Sequence, residues 1–181
     1  MRKLSILAFA ALIGLGAALA GSQAARAANS WGLPGEEAIR FDAEVVDVMC
    51  ALTGDCPDDC GGGKRVMGLL RESGELVLAV KNAGPFTGTA HDLVPFCHQT
   101  VTADGLFTIN YGVKTFALQF VKPVGEGDWR GANGFIKNWA AEHGLDIKDK
   151  TAKQWFRNDE GINAIIAEQG KLGLKDKGIE P

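Results

Sequence analysis

The stretch that decides the fold, residues 41–81, reads FDAEVVDVMC ALTGDCPDDC GGGKRVMGLL RESGELVLAV K. It opens with Phe41, Ala43 and Val45 in alternation with acidic residues, a pattern that predicts a half-buried strand. The alternation changes phase at Val45-Val46, which indicates a bulge or a barrel corner within that strand. The segment therefore predicts a strand that ends at Cys50, a loop that holds Cys56 and Cys60, and a tight hairpin.

The residues after this segment predict enough further strands to close a small barrel. Pro and Gly mark a loop at 82–89, and one helical turn is expected within 91–96. Ala103-Asp104-Gly105 is a hairpin signal, and Gly112 interrupts the last strand. The predicted strands are 41–50, 66–70, 76–80, 97–102 and 106–122. Five strands with a short helix or loop between the third and fourth resemble the OB-fold, a Greek-key barrel. Another small antiparallel barrel or sandwich is the alternative, because strand counting does not fix topology.

Beyond Pro123 the apolar residues recur at helical spacing. Asn133 is placed to cap a first helix that ends near Gly144, and Thr151 with Gln154 fits a capping box. Asn158 or Asp159 caps a third helix, which Gly170 closes. Their amphipathic pattern predicts that the helices pack onto the barrel. Trp129, Trp139 and Trp155 are predicted to be core residues, and a ligand groove lined by the three is the alternative. The chain thus divides into an irregular arm at 28–40, an OB-like barrel at 41–122 and a helical C-terminal appendage at 123–181.

The first 27 residues have the pattern of a secretory signal peptide. Arg2 and Lys3 precede an apolar run from Leu4 to Ala20, and Ala25-Arg26-Ala27 supplies a cleavage site. A retained membrane anchor is the alternative, but the run is weakly hydrophobic and barely long enough to span a bilayer. The chain lacks the paired arginines of a Tat signal, so we expect Sec export to the periplasm or the medium.

The expected mature chain is acidic and of single-domain size. Removal of 27 residues leaves 154 of the 181, and it takes away three basic and no acidic residues, so the net charge of −3 becomes −6. Nucleic-acid binding requires clustered Lys and Arg, so a nucleic-acid partner is not expected. No later apolar segment approaches membrane-spanning length.

The four cysteines all lie in the expected mature chain, at 50, 56, 60 and 97. An even number in an exported protein predicts two disulfides. In an OB-like barrel the first strand pairs with the fourth, and this pairing favours a Cys50–Cys97 bond with Cys56–Cys60 closed inside the loop. The local pairings Cys50–Cys60 and Cys50–Cys56 remain as alternatives.

A metal site is the competing interpretation of the same residues. Cys50, Cys56, Cys60 and Cys97, with His98 and His91, are soft ligands suited to copper or zinc. The cysteine spacing matches no standard zinc motif, and adjacent Cys97 and His98 on a strand would point to opposite faces. No metal or other cofactor is therefore the first expectation, with copper or zinc as the alternative.

Further motifs point away from an enzyme and toward a family. Cys-x-x-Cys, Gly-x-Ser-x-Gly, phosphate-loop and His-Glu-x-x-His patterns are lacking in the sequence. The pattern Val46-Asp-Val48-x-Cys50, Cys56, Cys60, Gly68-Leu-Leu70 and Gly74-Glu-Leu-Val-Leu78 resembles small exported bacterial proteins with an OB-like barrel and a cysteine-bearing first inter-strand loop. The resemblance covers residues 41–122 and implies a fold, not a catalytic residue.

These observations together predict a binding or accessory module that is a non-catalytic partner of a periplasmic protein system. In OB-like barrels the ligand surface usually includes the loop after the first strand. We expect the charged residues of that loop to form the ligand rim. They are Asp55, Asp58, Asp59, Lys64 and Arg65.

Overall fold

The computed structural model of the chain describes residues 28–125 and 127–178, so the predicted signal peptide at 1–27 lies outside the described residues. The strands within the described part are β1 Glu37–Asp47, β2 Met67–Leu70, β3 Leu76–Lys81, β4 Thr100–Asn110, β5 Val113–Pro123 and β6 Arg130–Gly131. The α-helices are α1 Val48–Thr53, α2 Ala90–Leu93, α3 Gly134–Glu142, α4 Lys150–Lys153, α5 Trp155–Asn158 and α6 Glu160–Gln169. Short 3-10 turns lie at Cys60–Gly63, Val94–Phe96 and Lys175–Lys177.

The first five strands close into a barrel. β1 pairs antiparallel with both β2 and β4, β2 pairs with β3, and β4 pairs with β5. A short parallel contact between β3 and β5, with Ala79 opposite Phe116, closes the ring, and β6 extends β5 outside it. The first strand therefore meets the fourth, and α2 lies between the third and fourth, as expected of an OB-like barrel. The predicted mainly-β fold with C-terminal helices is confirmed.

The hairpin predicted at residues 103–105 is wrong. These residues lie inside β4, and the chain turns instead at Tyr111-Gly112, where φ is 52° and 78°. The pairing of β4 with β5 shifts register between Asp104 and Gly105. A Cβ atom on Gly105 would lie 2.2 Å from the carbonyl oxygen of Ala117, so close approach of β5 requires the glycine there. Gly105 therefore has a structural role, but it lies at an irregularity within β4 and not at a turn.

β1 differs from the prediction at both ends. It begins at Glu37, within the predicted arm, because residues 37–44 pair with β4. Residues 44–47 then pair with β2, so the change of phase at Val45-Val46 falls where the strand passes from one neighbour to the other. The strand ends at Asp47, whose carboxylate accepts a hydrogen bond from the backbone N–H of Met49, and α1 follows where the strand was expected to continue. This places Cys50 on a helix.

Two hydrophobic clusters fill the described part of the chain. Inside the barrel, the rings of Phe41, Phe107 and Phe116 contact one another, with centroids 5.1–5.8 Å apart. The second cluster joins the C-terminal helices and is centred on buried Trp139 and Trp155, which confirms the core prediction for these two residues. Trp129 is not a member of this cluster, and its ring lies 4.7 Å from the guanidinium carbon of Arg40. The appendage therefore has a core of its own beside the barrel core.

The C-terminal helices begin mostly where the sequence predicted. Asn133 precedes α3, and the carboxylate of Asp159 caps α6 by accepting a 2.9 Å hydrogen bond from Ile162 N–H. The capping box at Thr151 is wrong, since Thr151 lies inside α4 and Gln154 separates α4 from α5. Among the described residues no helix has the length and apolar character needed to cross a membrane.

Candidate functional site

The four cysteines form two disulfides, Cys50–Cys56 and Cys60–Cys97. The presence of two disulfides confirms that prediction, but the favoured Cys50–Cys97 pairing is wrong. Because α1 replaces the end of the first strand, Cys50 does not lie beside the start of the fourth strand. It bonds locally to Cys56, and Cys60 takes the long-range position opposite Cys97.

The Cys60–Cys97 bond lies beside His98. The Nε2 atom of His98 is 3.9 Å from Cys60 Sγ, and its Nδ1 atom is 3.7 Å from Glu44 Oε1. Cys97 follows a 3-10 turn and β4 begins only at Thr100, so the expectation that Cys97 and His98 point apart on a strand is wrong. The ligand atoms of Cys60, Cys97 and His98 all lie within 4.8 Å of one another.

The other three proposed metal ligands, Cys50, Cys56 and His91, do not belong to the group formed by Cys60, Cys97 and His98. Cys50 and Cys56 are bonded to each other, and within the described chain no group of three ligands brings them or His91 to a common point. His91 contacts Asn138, whose Nδ2 lies 2.8 Å from His91 Nε2, and its ring meets the edge of Phe135. The structure thus brings together three of the six residues that the sequence proposed as metal ligands.

A cleft of about 550 Å³ lies between the barrel and the C-terminal helices. Its walls come from the cysteine loop, the connection between β3 and α2, α2 with the following turn, α3 and α5. The lining residues are Gly62, Gly63, Phe86, Thr87, Gly88, Ala90, His91, Val94, Pro95, Phe135 and Trp155. We call this space the aromatic cleft, after Phe86, Phe135 and Trp155.

Phe86 stands at the edge of the aromatic cleft in an unusual conformation. Its side chain is 79% exposed, and its backbone has a φ of 57°, in the left-handed region that a bulky residue rarely occupies. The ring meets Phe156 of α5 edge-on, at a centroid distance of 4.6 Å. Phe135 and Trp155 make a similar edge contact deeper in the cleft, also at 4.6 Å.

Buried polar residues hold the loop that carries Phe86. Asn82 is fully buried; its Oδ1 accepts hydrogen bonds from Gly84 N–H and the Thr87 hydroxyl. Its Nδ2 donates to Asp92 Oδ2 at 2.7 Å, and Asp92 Oδ1 accepts from Gly134 N–H at 2.8 Å. Burial raises the pKa of Asp92, while these two hydrogen bonds act to lower it. This network joins the loop, α2 and the start of α3 into one frame.

Trp155 ties the appendage to the same loop. Its indole Nε1 donates a 2.8 Å hydrogen bond to the carbonyl oxygen of Pro85, the residue before Phe86. Trp155 is therefore both a core residue of the helices and part of the floor of the aromatic cleft.

The predicted charged rim mostly makes internal contacts. Arg65 bridges Asp55 and Asp47 at 2.7 and 3.1 Å, and the hydrogen bonds to these carboxylates raise its pKa, that to Asp55 most. Asp59 accepts a hydrogen bond from Gly61 N–H.

The other two members of the predicted rim lie near the cysteines and a smaller cavity. The carbonyl oxygen of Asp58 lies 3.6 Å from Cys97 Sγ, and Lys64 with Arg65 borders a cavity of about 300 Å³. Only the glycines of the loop, Gly62 and Gly63, reach the aromatic cleft. Whether the charged side chains contact a ligand stays a prediction.

Sequence reasoning missed Phe86 and Phe135 as candidate binding residues. The available signal was a phenylalanine within the loop sequence NAGPFTGT, where turn residues leave no core position to fill. The loop and the helices that complete the cleft are far apart in sequence, so no local pattern brings them together.

No family model, curated protein or solved structure matches the chain. Of the features that the sequence resemblance implied, the structure has the closed five-stranded barrel and a disulfide within it.

Proposed function

We propose that this chain is an exported, disulfide-stabilised binding module that acts as a non-catalytic partner of a periplasmic protein system. We further propose that it binds its partner in the aromatic cleft. The observation that carries the proposal is Phe86, an exposed aromatic ring on a backbone with φ of 57°.

Burial does not explain the conformation of Phe86, which contacts the Phe156 ring edge-on but stays 79% exposed. A left-handed backbone costs a residue with a side chain about 1–2 kcal/mol, and glycine would occupy the position without that cost. The ring recovers little by burial, because most of its surface is exposed. Strained residues of this kind concentrate at binding and active sites, where surrounding structure holds them in place. The Asn82 network supplies such support here.

The chemistry of the cleft favours an apolar side chain from a protein partner. Aromatic residues in a partly enclosed pocket, ringed by polar groups, are typical anchors of protein–protein interfaces. Phe86, Phe135 and Trp155 supply the aromatic surfaces, while Thr87 and His91 supply polar groups at the same cleft. We expect a short segment of the partner to insert a large apolar side chain between them.

The proposed compartment rests on the cysteines and on the N-terminal sequence. Disulfides persist in oxidising compartments, and two of them fit an exported protein. The periplasm, the Sec route and cleavage after Ala27 are parts of the proposal that come from the sequence pattern.

A peptide-display experiment tests the proposal. Random peptides are selected on the immobilised mature protein with both disulfides intact, and the affinities of the selected peptides are measured by calorimetry. We expect enrichment of a large apolar residue, and we expect Phe86→Ala to weaken binding at least about tenfold, as loss of an interface anchor does.

Tyr111→Ala is the matched control for that substitution. Tyr111 is another exposed aromatic residue with positive φ, but it lies at the β4–β5 turn, and its loss should leave affinity unchanged. If no peptide is enriched, or if both variants bind equally well, the aromatic cleft is not the binding site.

A further inference from the structure

We infer that the Cys60–Cys97 disulfide covers a latent zinc site. After reduction, the thiolates of Cys60 and Cys97 and the Nε2 atom of His98 bind one zinc ion, and Glu44 orients the imidazole. The inference uses residues other than those that line the aromatic cleft, so its test is independent of the proposed function.

The three donor atoms lie near one another, and reduction lets the two bonded sulfurs separate to the spacing that zinc requires. A tetrahedral zinc ion with bonds of about 2.3 Å to sulfur and about 2.0 Å to nitrogen places its donors roughly 3.5–3.8 Å apart. In the structure His98 Nε2 lies 3.9 Å from Cys60 Sγ, and all three ligand atoms fall within 4.8 Å of one another. Two thiolates and one imidazole leave a fourth position open to water or to another ligand.

Glu44 completes a recurrent arrangement around zinc-bound histidines. A histidine that binds zinc through one ring nitrogen usually donates the other N–H to a carboxylate, which fixes the ring orientation. His98 turns Nε2 to the sulfur and Nδ1 to Glu44 Oε1, 3.7 Å away. Both side chains are about half exposed, with 48% and 45% of their surface accessible, so the imidazole side of the site faces solvent while Cys60 is buried behind it.

The backbone is strained on both sides of the disulfide. Cys60 has a φ of 52° and His98 a φ of 59°. Histidine is among the residues that enter the left-handed region more often than most, but a cysteine there is uncommon. A disulfide alone requires neither the histidine nor its conformation. Residues in uncommon backbone conformations concentrate at functional sites. The positions of the His98 imidazole and the Cys60 sulfur are explained if both bind the same metal ion.

The chemistry balances with a dithiol reductant. Two electrons and two protons pass from the dithiol to the Cys60–Cys97 bond, which breaks to give two thiols, while the dithiol closes to its own disulfide. Zinc then displaces one proton from each thiol as the two Zn–S bonds form. The metal thereby restores a cross-link between the cysteine loop and the start of β4, so these segments stay joined in both redox states.

The test is a zinc titration of the reduced protein. The variant Cys50→Ser/Cys56→Ser leaves Cys60 and Cys97 as the sole cysteines; it is reduced with dithiothreitol, desalted without oxygen and titrated with zinc against a chromophoric chelator. We expect about one zinc per chain after reduction and none before it. His98→Ala and Glu44→Gln should each weaken zinc binding about 10- to 100-fold.

His91→Ala is the control that separates a formed site from an unfolded chain. An unfolded reduced chain offers its histidines equally, so equal losses for His91→Ala and His98→Ala would overturn the inference. Absence of stoichiometric zinc would overturn it as well. If the serine variant folds poorly, the test is repeated with wild-type protein reduced at all four cysteines and with Cys60→Ala/Cys97→Ala. Zinc binding that is equally strong in this alanine variant would also refute the site.

Discussion

At the scale of single residues, the barrel leaves no space at Gly105. A Cβ atom there would lie 2.2 Å from the carbonyl oxygen of Ala117 and 2.6 Å from the ring of Phe116, which is itself fully buried. Neither neighbour can move without disturbing the pairing of β4 with β5. The smallest possible side chain at this position therefore conflicts with the barrel wall.

We predict that Gly105→Ala lowers the free energy of unfolding by about 2–4 kcal/mol, because packing conflicts in a core have costs of this size. Urea denaturation followed by circular dichroism measures the change. Gly88→Ala is the control: a Cβ there meets nothing within 4 Å, and the change should stay within about 1 kcal/mol. Equal stabilities of the two variants would contradict the close approach of the strands.

Local sequence pattern draws attention to Gly105 and His98, but it does not show which contacts require them. Gly105 follows Asp104, and this pair is a common turn signal, so local pattern predicted a hairpin. The actual cause is contact with a strand that lies later in the chain. Similarly, His98 is adjacent to Cys97 in sequence, but its Nε2 atom lies 3.9 Å from the sulfur of Cys60, which is 38 residues away. Tertiary contacts decide both positions.

At the scale of elements, the two disulfides constrain the chain to different degrees. Cys60–Cys97 joins residues 37 apart and connects the loop after α1 to the approach to β4. Cys50–Cys56 joins residues only 6 apart, at the end of α1. Loop-closure entropy rises with the number of residues enclosed, so the long-range bond restricts the unfolded chain more.

We predict that Cys60→Ala/Cys97→Ala lowers the free energy of unfolding by about 4 kcal/mol and that Cys50→Ala/Cys56→Ala lowers it by about 2 kcal/mol, on the loop-entropy model. Denaturant titration of the two double variants under non-reducing conditions measures the difference. A larger loss for the local pair would show that α1 and its disulfide contribute more to the barrel than the loop-entropy argument allows.

The elements themselves were largely predictable from local pattern. Local pattern identified the presence of the five strands, but it assigned residues 106–110 to the fifth strand, whereas they belong to β4. Asp159, one of the two predicted caps, and Gly170 mark the limits of α6. The pattern failed at α1, where Val48 and Met49 continue an apolar run that reads as strand, but the Asp47 side chain starts a helix. That error of one element also produced the wrong disulfide pairing.

At the scale of the whole molecule, the aromatic cleft exists because the appendage packs beside the barrel. The indole N–H of Trp155 donates a hydrogen bond to the carbonyl oxygen of Pro85. The backbone N–H of Gly134 donates a hydrogen bond to buried Asp92, and the ring of Phe156 contacts the ring of Phe86. Each contact joins segments more than 40 residues apart. The sequence predicted that the helices pack onto the barrel, but no periodicity indicates which loop they meet or that a cleft remains between them.

The most direct test of the account is the stability of Phe86→Gly. Glycine relieves the positive φ and removes the ring, so a residue kept for binding should be replaceable without loss of stability. We predict a free energy of unfolding that is unchanged within about 1 kcal/mol, or raised, together with loss of affinity for the peptides selected on the wild-type protein. A fall of more than about 2 kcal/mol would show that Phe86 serves mainly to hold the appendage, and it would contradict the proposed binding site.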